Sequence, residues 1–201
     1  MKMFCRSHIL QRSCVLGALL LMPSIWALSI APVRLDNLFA EADQVVLVNI
    51  LSGDAEHYDT AVYKAVVEDA YKGAQKGETI FFGPFIGYSI GSEYVLFLKN
   101  GAGEQPKNAG GLSYGPIGKV DRVMYDGYSS LPVSYKCVFD GREISQQCDY
   151  AVQLNPDQVV LPKEIRTFPA GDATAVTDFK KWVRRNGFLA HLRTLSNQSN
   201  K

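Results

Sequence analysis

The chain has no large excess of charge of either sign. Its 201 residues include 21 Lys and Arg and 20 Asp and Glu, for a formal net charge of +1. Removing residues 1–27 would take away three basic residues and no acidic one, which leaves 18 basic and 20 acidic residues and a net charge near −2. Because binding to a phosphate backbone needs clustered positive charge, this balance argues against nucleic acid as a partner.

The sequence also has no apolar run long enough to span a membrane as a helix. The run at residues 15–21 falls well short of the roughly 20 apolar residues that a spanning helix needs. Lys2, Arg6 and Arg12 precede this run, and the segment MPSIWA follows it. This order of basic, apolar and small residues is typical of a secretory signal.

We expect the signal to comprise residues 1–27, with cleavage after Ala27 and Ala31 as the second candidate. The mature chain is then a single domain over residues 28–201, exported to the periplasm or out of the cell, without stable membrane insertion. An uncleaved membrane anchor is the alternative interpretation.

Cysteine is scarce, with four in the whole chain. Cys5 and Cys14 would be removed with the signal, so that Cys137 and Cys148 remain. Two cysteines in an exported chain predict one structural disulfide in an oxidising compartment.

The turn residues Asp140 and Gly141 complicate this pairing. A two-residue hairpin turn there would place Cys137 opposite Ile144, and Cys148 would lie about 13 Å further along the strand. A disulfide tolerates at most about 7 Å between α-carbons. We therefore expect the second strand to break after Ile144 and residues 145–148 to curl back.

Short apolar runs between turn residues predict a mainly β protein. Residues 45–51 are nearly all apolar and too short for a helix, and residues 60–71 alternate as a half-buried strand does. The Lys-Gly pairs at 72–73 and 76–77 indicate a turn, because glycine adopts backbone angles that other residues avoid. Residues 79–82 then form the second strand of a hairpin. Further strands are expected at residues 94–98, 119–125, 133–139 and 159–161.

Two helices are expected to flank the strands. Apolar residues at three- and four-residue spacing predict a short helix over residues 35–42. The same spacing of Val176, Phe179 and Val183 predicts an amphipathic helix from residue 172 that stops near Gly187. A shorter turn would follow and end near residue 195.

Four stretches in this order resemble the netrin-like module, the family that includes the tissue inhibitors of metalloproteinases and exported bacterial relatives. They are LFAEADQVVLVNIL (38–51), YKAVVEDAYKG (63–73), GETIFFGP (77–84) and GSEYVLFLK (91–99). The resemblance covers about residues 35–99. It implies an OB-type β-barrel and a tendency to bind other proteins.

The chain also departs from that family. The animal inhibitors share a cysteine at the mature N-terminus that chelates the zinc of the target protease, and they carry several disulfides. This chain would begin near Leu28 with no cysteine there, and Cys137 and Cys148 lie outside the matched region. The zinc-chelating mechanism is therefore not carried over.

The segment between the first two predicted strands holds the candidate contact residues. They are Asp54, Glu56, His57 and Asp59. Carboxylates and an imidazole can bind a divalent cation, but this spacing matches no calcium loop and no zinc motif. We expect a solvated acidic loop at the edge of a binding face, with neither a metal nor a cofactor.

One string matches a catalytic motif. GYSIG, residues 87–91, satisfies the G-x-S-x-G pattern of a nucleophile elbow, in which Ser89 would be the nucleophile. Asp126 or Asp140, and then His191, follow in the chain order that this chemistry uses. The elbow requires a helix after the serine, whereas a strand is predicted there.

These observations predict an exported, non-catalytic binding or inhibitor-like module that contacts another envelope or secreted protein. A small exported serine hydrolase that uses Ser89 is one alternative. A module that binds oligosaccharides or the cell wall is the other, because OB-type barrels also bind sugars.

Overall fold

A computed structural model describes residues 31–54, 61–85, 87–101, 119–138, 147–154, 158–169 and 181–199. These residues form a mainly β protein with two flanking helices, as predicted. The strands are β1 (Val33–Arg34), β2 (Gln44–Asp54), β3 (Val62–Lys72), β4 (Thr79–Gly83), β5 (Glu93–Lys99), β6 (Asp121–Val123), β7 (Ser130–Val138), β8 (Gln147–Leu154), β9 (Val159–Val160), β10 (Thr167–Pro169) and β11 (Lys181–Arg184). The helices are α1 (Leu35–Glu41) and α2 (Arg185–Ser199).

Five of the strands close into a barrel in the order β2-β3-β4-β6-β5. β2 pairs antiparallel with both β3 and β5, and β3 pairs antiparallel with β4. β6 completes the circle because it pairs parallel with β4 and antiparallel with β5. The prediction of an OB-type barrel is confirmed by this closed arrangement.

Apolar side chains fill the barrel. The alternating residues of β2 that point inward, Val46, Val48 and Ile50, pack with Phe82 and Leu96 and are almost fully buried. Because these strands alternate with period two, the intervening residues point to the opposite side of the sheet. The barrel is therefore a packed core.

The sheet continues beyond the barrel, from β5 through β7, β8 and β11 to β10. The side of the sheet that faces away from the barrel interior, which we call the outer face, is covered by α1 and α2. Leu38 of α1 and Phe188 of α2 pack there on Leu47, Val95 and Val152. β1 and β9 form a separate two-stranded parallel pair.

The predicted hairpin between residues 60 and 82 is confirmed. β3 pairs with β4 from Tyr63 opposite Phe82 to Val66 opposite Thr79. Gly73 and Gly77 in the connection have φ angles of 67° and 83°, in the left-handed region that glycine adopts readily.

The C-terminal prediction is only partly correct. Residues 181–184 form the strand β11, in which Trp182 and Val183 are buried between exposed ends, and Gly187 lies inside α2. Trp182 and Val183 suit a strand because aromatic and β-branched side chains pack well on a pleated surface. The rest of the predicted helix, residues 172–180, lies outside the described residues.

Within the described parts of the chain, no helix is long and apolar enough to cross a membrane.

Candidate functional site

The candidate site lies on the outer face, where the sheet extends past its helical cover. Glu93, Val133 and Val152 form one row across β5, β7 and β8. The valines in this row are buried under the helices. Two residues further along β7 and two residues back along β8, Tyr135 and Tyr150 lie directly opposite each other on the same face.

These two tyrosines are exposed and contact each other. Their ring centroids are 5.4 Å apart at an interplanar angle of 69°, an edge-to-face arrangement. Tyr135 is 59% exposed and Tyr150 is 52% exposed, although both lie on the face of the sheet that carries the buried Val133 and Val152. Cross-strand aromatic pairs stabilise antiparallel sheets, so the pair is held in place by the sheet that presents it. We call these two residues the tyrosine pair.

An ion pair marks the end of the helical cover. The Nε atom of Arg185, the first residue of α2, lies 3.3 Å from Oε2 of Glu93. Glu93 lies in the row of Val133 and Val152, which is next to the tyrosine pair on the same face. The first residue of α2 therefore lies beside the pair, and the helix extends away from it over the buried valines.

Two exposed aliphatic residues occur at the same end of the sheet. Leu51 is 47% exposed and Ile90 is 65% exposed. The amide of Gly91 donates a hydrogen bond of 2.7 Å to the carbonyl of Ile50, which brings these two segments together. The end of the sheet that carries the tyrosine pair therefore has further apolar surface beside it.

The register of β7 and β8 also places the cysteines. Cys137 is the direct partner of Cys148, two residues beyond the tyrosine pair. The predicted pairing of Cys137 with Ile144 is wrong, and Gln147 and Cys148 belong to the strand β8 and do not curl back. The predicted turn at Asp140 and Gly141 lies outside the described residues. The register instead matches the buried Val133 with the buried Val152, and a hydrophobic pattern of this kind sets strand pairing as strongly as a turn does.

Most of the predicted contact loop lies outside the described residues. Glu56, His57 and Asp59 fall in that part of the chain, and Asp54 ends β2 opposite Val62. Among the described residues, no group of three or more His, Cys, Asp or Glu side chains could hold a metal ion.

The Ser89 motif sits over one end of the barrel. The amide of Ser89 donates a hydrogen bond of 3.1 Å to the Tyr94 hydroxyl, and the next element is the strand β5, which is not the helix of a nucleophile elbow. His191 lies on α2, where its Nε2 is 3.5 Å from Oδ1 of Asp36 in α1. Across the described residues, no contact brings an imidazole to Ser89.

The neighbouring tyrosines close that end of the barrel. Tyr88 makes edge contacts with Tyr63, Phe82 and Tyr94 at centroid distances of 4.8, 5.0 and 5.1 Å. Burial raises the pKa of Tyr88 to about 12, so its hydroxyl stays protonated at neutral pH. These tyrosines are packing residues, whereas the tyrosine pair on the outer face is exposed.

A groove of about 760 Å³ borders α2 and includes Arg34, Asp36 and His191. Asp36 accepts a 3.3 Å hydrogen bond from Arg34 and faces His191 on its other oxygen. Because Arg34 and His191 both face Asp36, the groove offers a ligand no unpaired carboxylate at position 36.

The sequence interpretation did not predict the tyrosine pair as a site. The signal was present, since residues 150–154 read YAVQL and alternate as a strand does. The turn expected at residues 140–141 placed the second strand about four residues too early, so residues 150–154 were not assigned to it.

No protein-family model matches this sequence, and neither a curated protein nor a solved structure is significantly similar to it.

Proposed function

We propose that this chain is an exported, non-catalytic module that binds another protein through the tyrosine pair. The observation that carries the proposal is the exposure of two contacting aromatic rings on the outer face, beyond the helices that cover the rest of it. Tyrosine is enriched at the energetic centres of protein interfaces because it buries a large area and keeps a polar hydroxyl for hydrogen bonding.

The rigidity of the pair favours the same function. Tyr135 and Tyr150 project from paired strands in the middle of an extended sheet, so little side-chain and backbone freedom remains to be lost on binding. Tyrosine has few rotatable bonds, which lowers the entropic cost further. Binding surfaces with these properties gain affinity by preorganisation.

Export and kinship belong to the proposal as well. The order of the N-terminal residues supports a secretory signal, and the register of Cys137 opposite Cys148 suits a disulfide in an oxidising compartment. The closed barrel with flanking helices supports kinship with netrin-like modules at the level of fold. The missing N-terminal cysteine argues against inhibition by zinc chelation.

A photo-crosslinker at position 135 of the exported protein, used in its native compartment, tests the proposed surface. Tyr128 is the matched control position, because it is also an exposed tyrosine, at 38%, and lies just before the other end of β7. We expect one dominant protein adduct from position 135 that position 128 does not give. The absence of an adduct from position 135 in folded, exported protein would contradict the proposal.

The same protein can be tested for the glycan alternative. Retention on insoluble cell wall that is lost when Tyr135 and Tyr150 are replaced by alanine would assign the pair to a sugar and overturn the protein-binding proposal. We expect no retention that depends on these residues.

The non-catalytic part of the proposal has its own test. A fluorophosphonate probe should not label the exported protein, because no contact among the described residues brings a general base to Ser89. Labelling that disappears in Ser89→Ala would show a serine nucleophile and contradict a purely binding function.

A further inference from the structure

A second cleft lies next to the segment of residues 159–165, apart from the tyrosine pair. Its volume is about 310 Å³, at the lower end of the range of small-molecule sites. Six of the nine described residues that line it are apolar, among them Leu154, Val159, Leu161 and Ile165, and polar groups contribute about half of the exposed lining. Leu154 and Val159 are buried residues of the outer-face core, so the cleft reaches down to the core.

Two lysines line this cleft. Lys163 comes from the 159–165 segment, and Lys181 comes from the start of β11, where it pairs with Leu154. Both are exposed, and no Asp or Glu is among the described residues that line the cleft. Neither lysine belongs to an ion pair within the described part of the chain.

We propose that this cleft binds a medium-chain aliphatic carboxylate, such as a fatty acid of about ten carbons, with its carboxylate between Lys163 and Lys181. Two ammonium groups that have no carboxylate partner among the described residues complement a single anionic head group through charge-assisted hydrogen bonds. The apolar walls complement the aliphatic chain, whose transfer from water is favourable. The assignment does not depend on the tyrosine pair, since neither Tyr135 nor Tyr150 lines the cleft.

The direct test is a titration of the full exported protein with decanoate, followed by calorimetry and by two-dimensional NMR. Decanol is the matched probe without the charge, and acetate is the matched probe without the chain. We expect saturable decanoate binding, with chemical-shift changes around Leu161 and Ile165, and affinities at least tenfold weaker for both matched probes.

Matched variants locate the head group. The double variant Lys163→Gln with Lys181→Gln should weaken decanoate binding about tenfold or more, because each lysine supplies a charge-assisted contact. Lys64→Gln with Lys76→Gln removes the same charge from residues that do not line the cleft and should leave the affinity unchanged.

Three outcomes would overturn the proposal. They are the absence of decanoate binding, equal affinity for decanol and decanoate, and equal affinity in the cleft and control variants. A peptide with a C-terminal leucine that binds only with a free carboxylate, in place of decanoate, would also reject the fatty acid as the occupant.

Discussion

Asp69 is the residue that ties α2 to the barrel. One of its oxygens accepts hydrogen bonds from the Tyr71 hydroxyl at 2.9 Å and from Arg193 at 2.7 Å, and the other accepts one from the Ala70 amide. Arg193 also lies over the Tyr71 ring, 6.0 Å from its centroid. A single carboxylate on β3 thereby holds a helical arginine and a buried tyrosine in fixed positions.

This arrangement predicts a pH dependence of stability. Burial acts to raise the pKa of Asp69, but the hydrogen bonds from Arg193 and Tyr71 outweigh it, so the pKa lies below its ordinary value of 3.8. A carboxylate with a lowered pKa in the folded state stabilises the protein when ionised, and that contribution is lost as the pH falls from about 5 through the folded-state pKa. Asp69→Asn should therefore lower the free energy of unfolding by about 1 to 2 kcal/mol at pH 7 and by much less at pH 3.

Urea unfolding at several pH values measures this difference. Glu68→Gln removes the neighbouring carboxylate, which takes no part in these hydrogen bonds, and should change the free energy of unfolding by less than about 0.5 kcal/mol. An equal effect of Asp69→Asn at pH 3 and pH 7 would show that the ionised carboxylate is not what stabilises the fold.

Gly73 and Gly77 provide a second test at the residue scale. A Cβ atom on Gly73 would lie 2.1 Å from the carbonyl oxygen of Asp43, whereas one on Gly77 would meet nothing within 4 Å. Gly77→Ala should cost about 1 to 2 kcal/mol of unfolding free energy, because its φ angle is positive. Gly73→Ala should cost about 2 kcal/mol more, because a backbone carbonyl must also move.

Denaturant unfolding of the two alanine variants measures both costs. Equal losses of unfolding free energy in Gly73→Ala and Gly77→Ala would mean that the turn accommodates the new methyl group without moving the Asp43 carbonyl. In that case Gly73 would be required only for its backbone conformation.

At the scale of elements, the β7–β8 hairpin carries both the tyrosine pair and the two cysteines. Directly opposed residues of an antiparallel pair have α-carbons roughly 4.5 or 5.5 Å apart, and both distances suit a disulfide. Cys137 and Cys148 hold such positions. We therefore expect no free thiol at Cys137 or Cys148 after the proposed export.

Thiol labelling with and without a reductant checks this expectation. Reduction should lower the free energy of unfolding by about 3 kcal/mol through the loss of loop-closure entropy. The variant with Cys137→Ser and Cys148→Ser should behave like the reduced protein. Two reactive thiols in the untreated exported protein would contradict the predicted bond.

Local patterns identified most elements of the barrel but not the extension of the sheet. The apolar run at 45–51, the alternation over 60–71 and the Lys-Gly turn appear in the structure as β2, β3 and the turn before β4. β11 was predicted as helix because Val183 follows Val176 and Phe179 at helical spacing. Its pairing with β8 and β10 is a long-range contact that local spacing does not encode.

At the scale of the whole molecule, two large cores of the described residues share the same strands. The inner core fills the barrel, and the outer core lies between the sheet and the two helices. The resemblance to the netrin-like module implied the barrel. Apolar periodicity, which is a local property, predicted two flanking helices, although the C-terminal helix begins later than expected. Where α2 stops covering the outer face depends on the packing of Phe188 and on the Arg185–Glu93 ion pair, so the exposed site could not be predicted.

The uncovered end of the outer face is proposed to bind a protein through the tyrosine pair. The most direct test is the dissociation constant of the captured partner for the unmodified chain, Tyr135→Ala, Tyr150→Ala and the control Tyr128→Ala. We predict that each variant of the pair weakens binding at least tenfold, as expected for central aromatic contacts, and that the control has no effect. Unchanged affinity in both variants of the pair, with the fold intact, would contradict the claim.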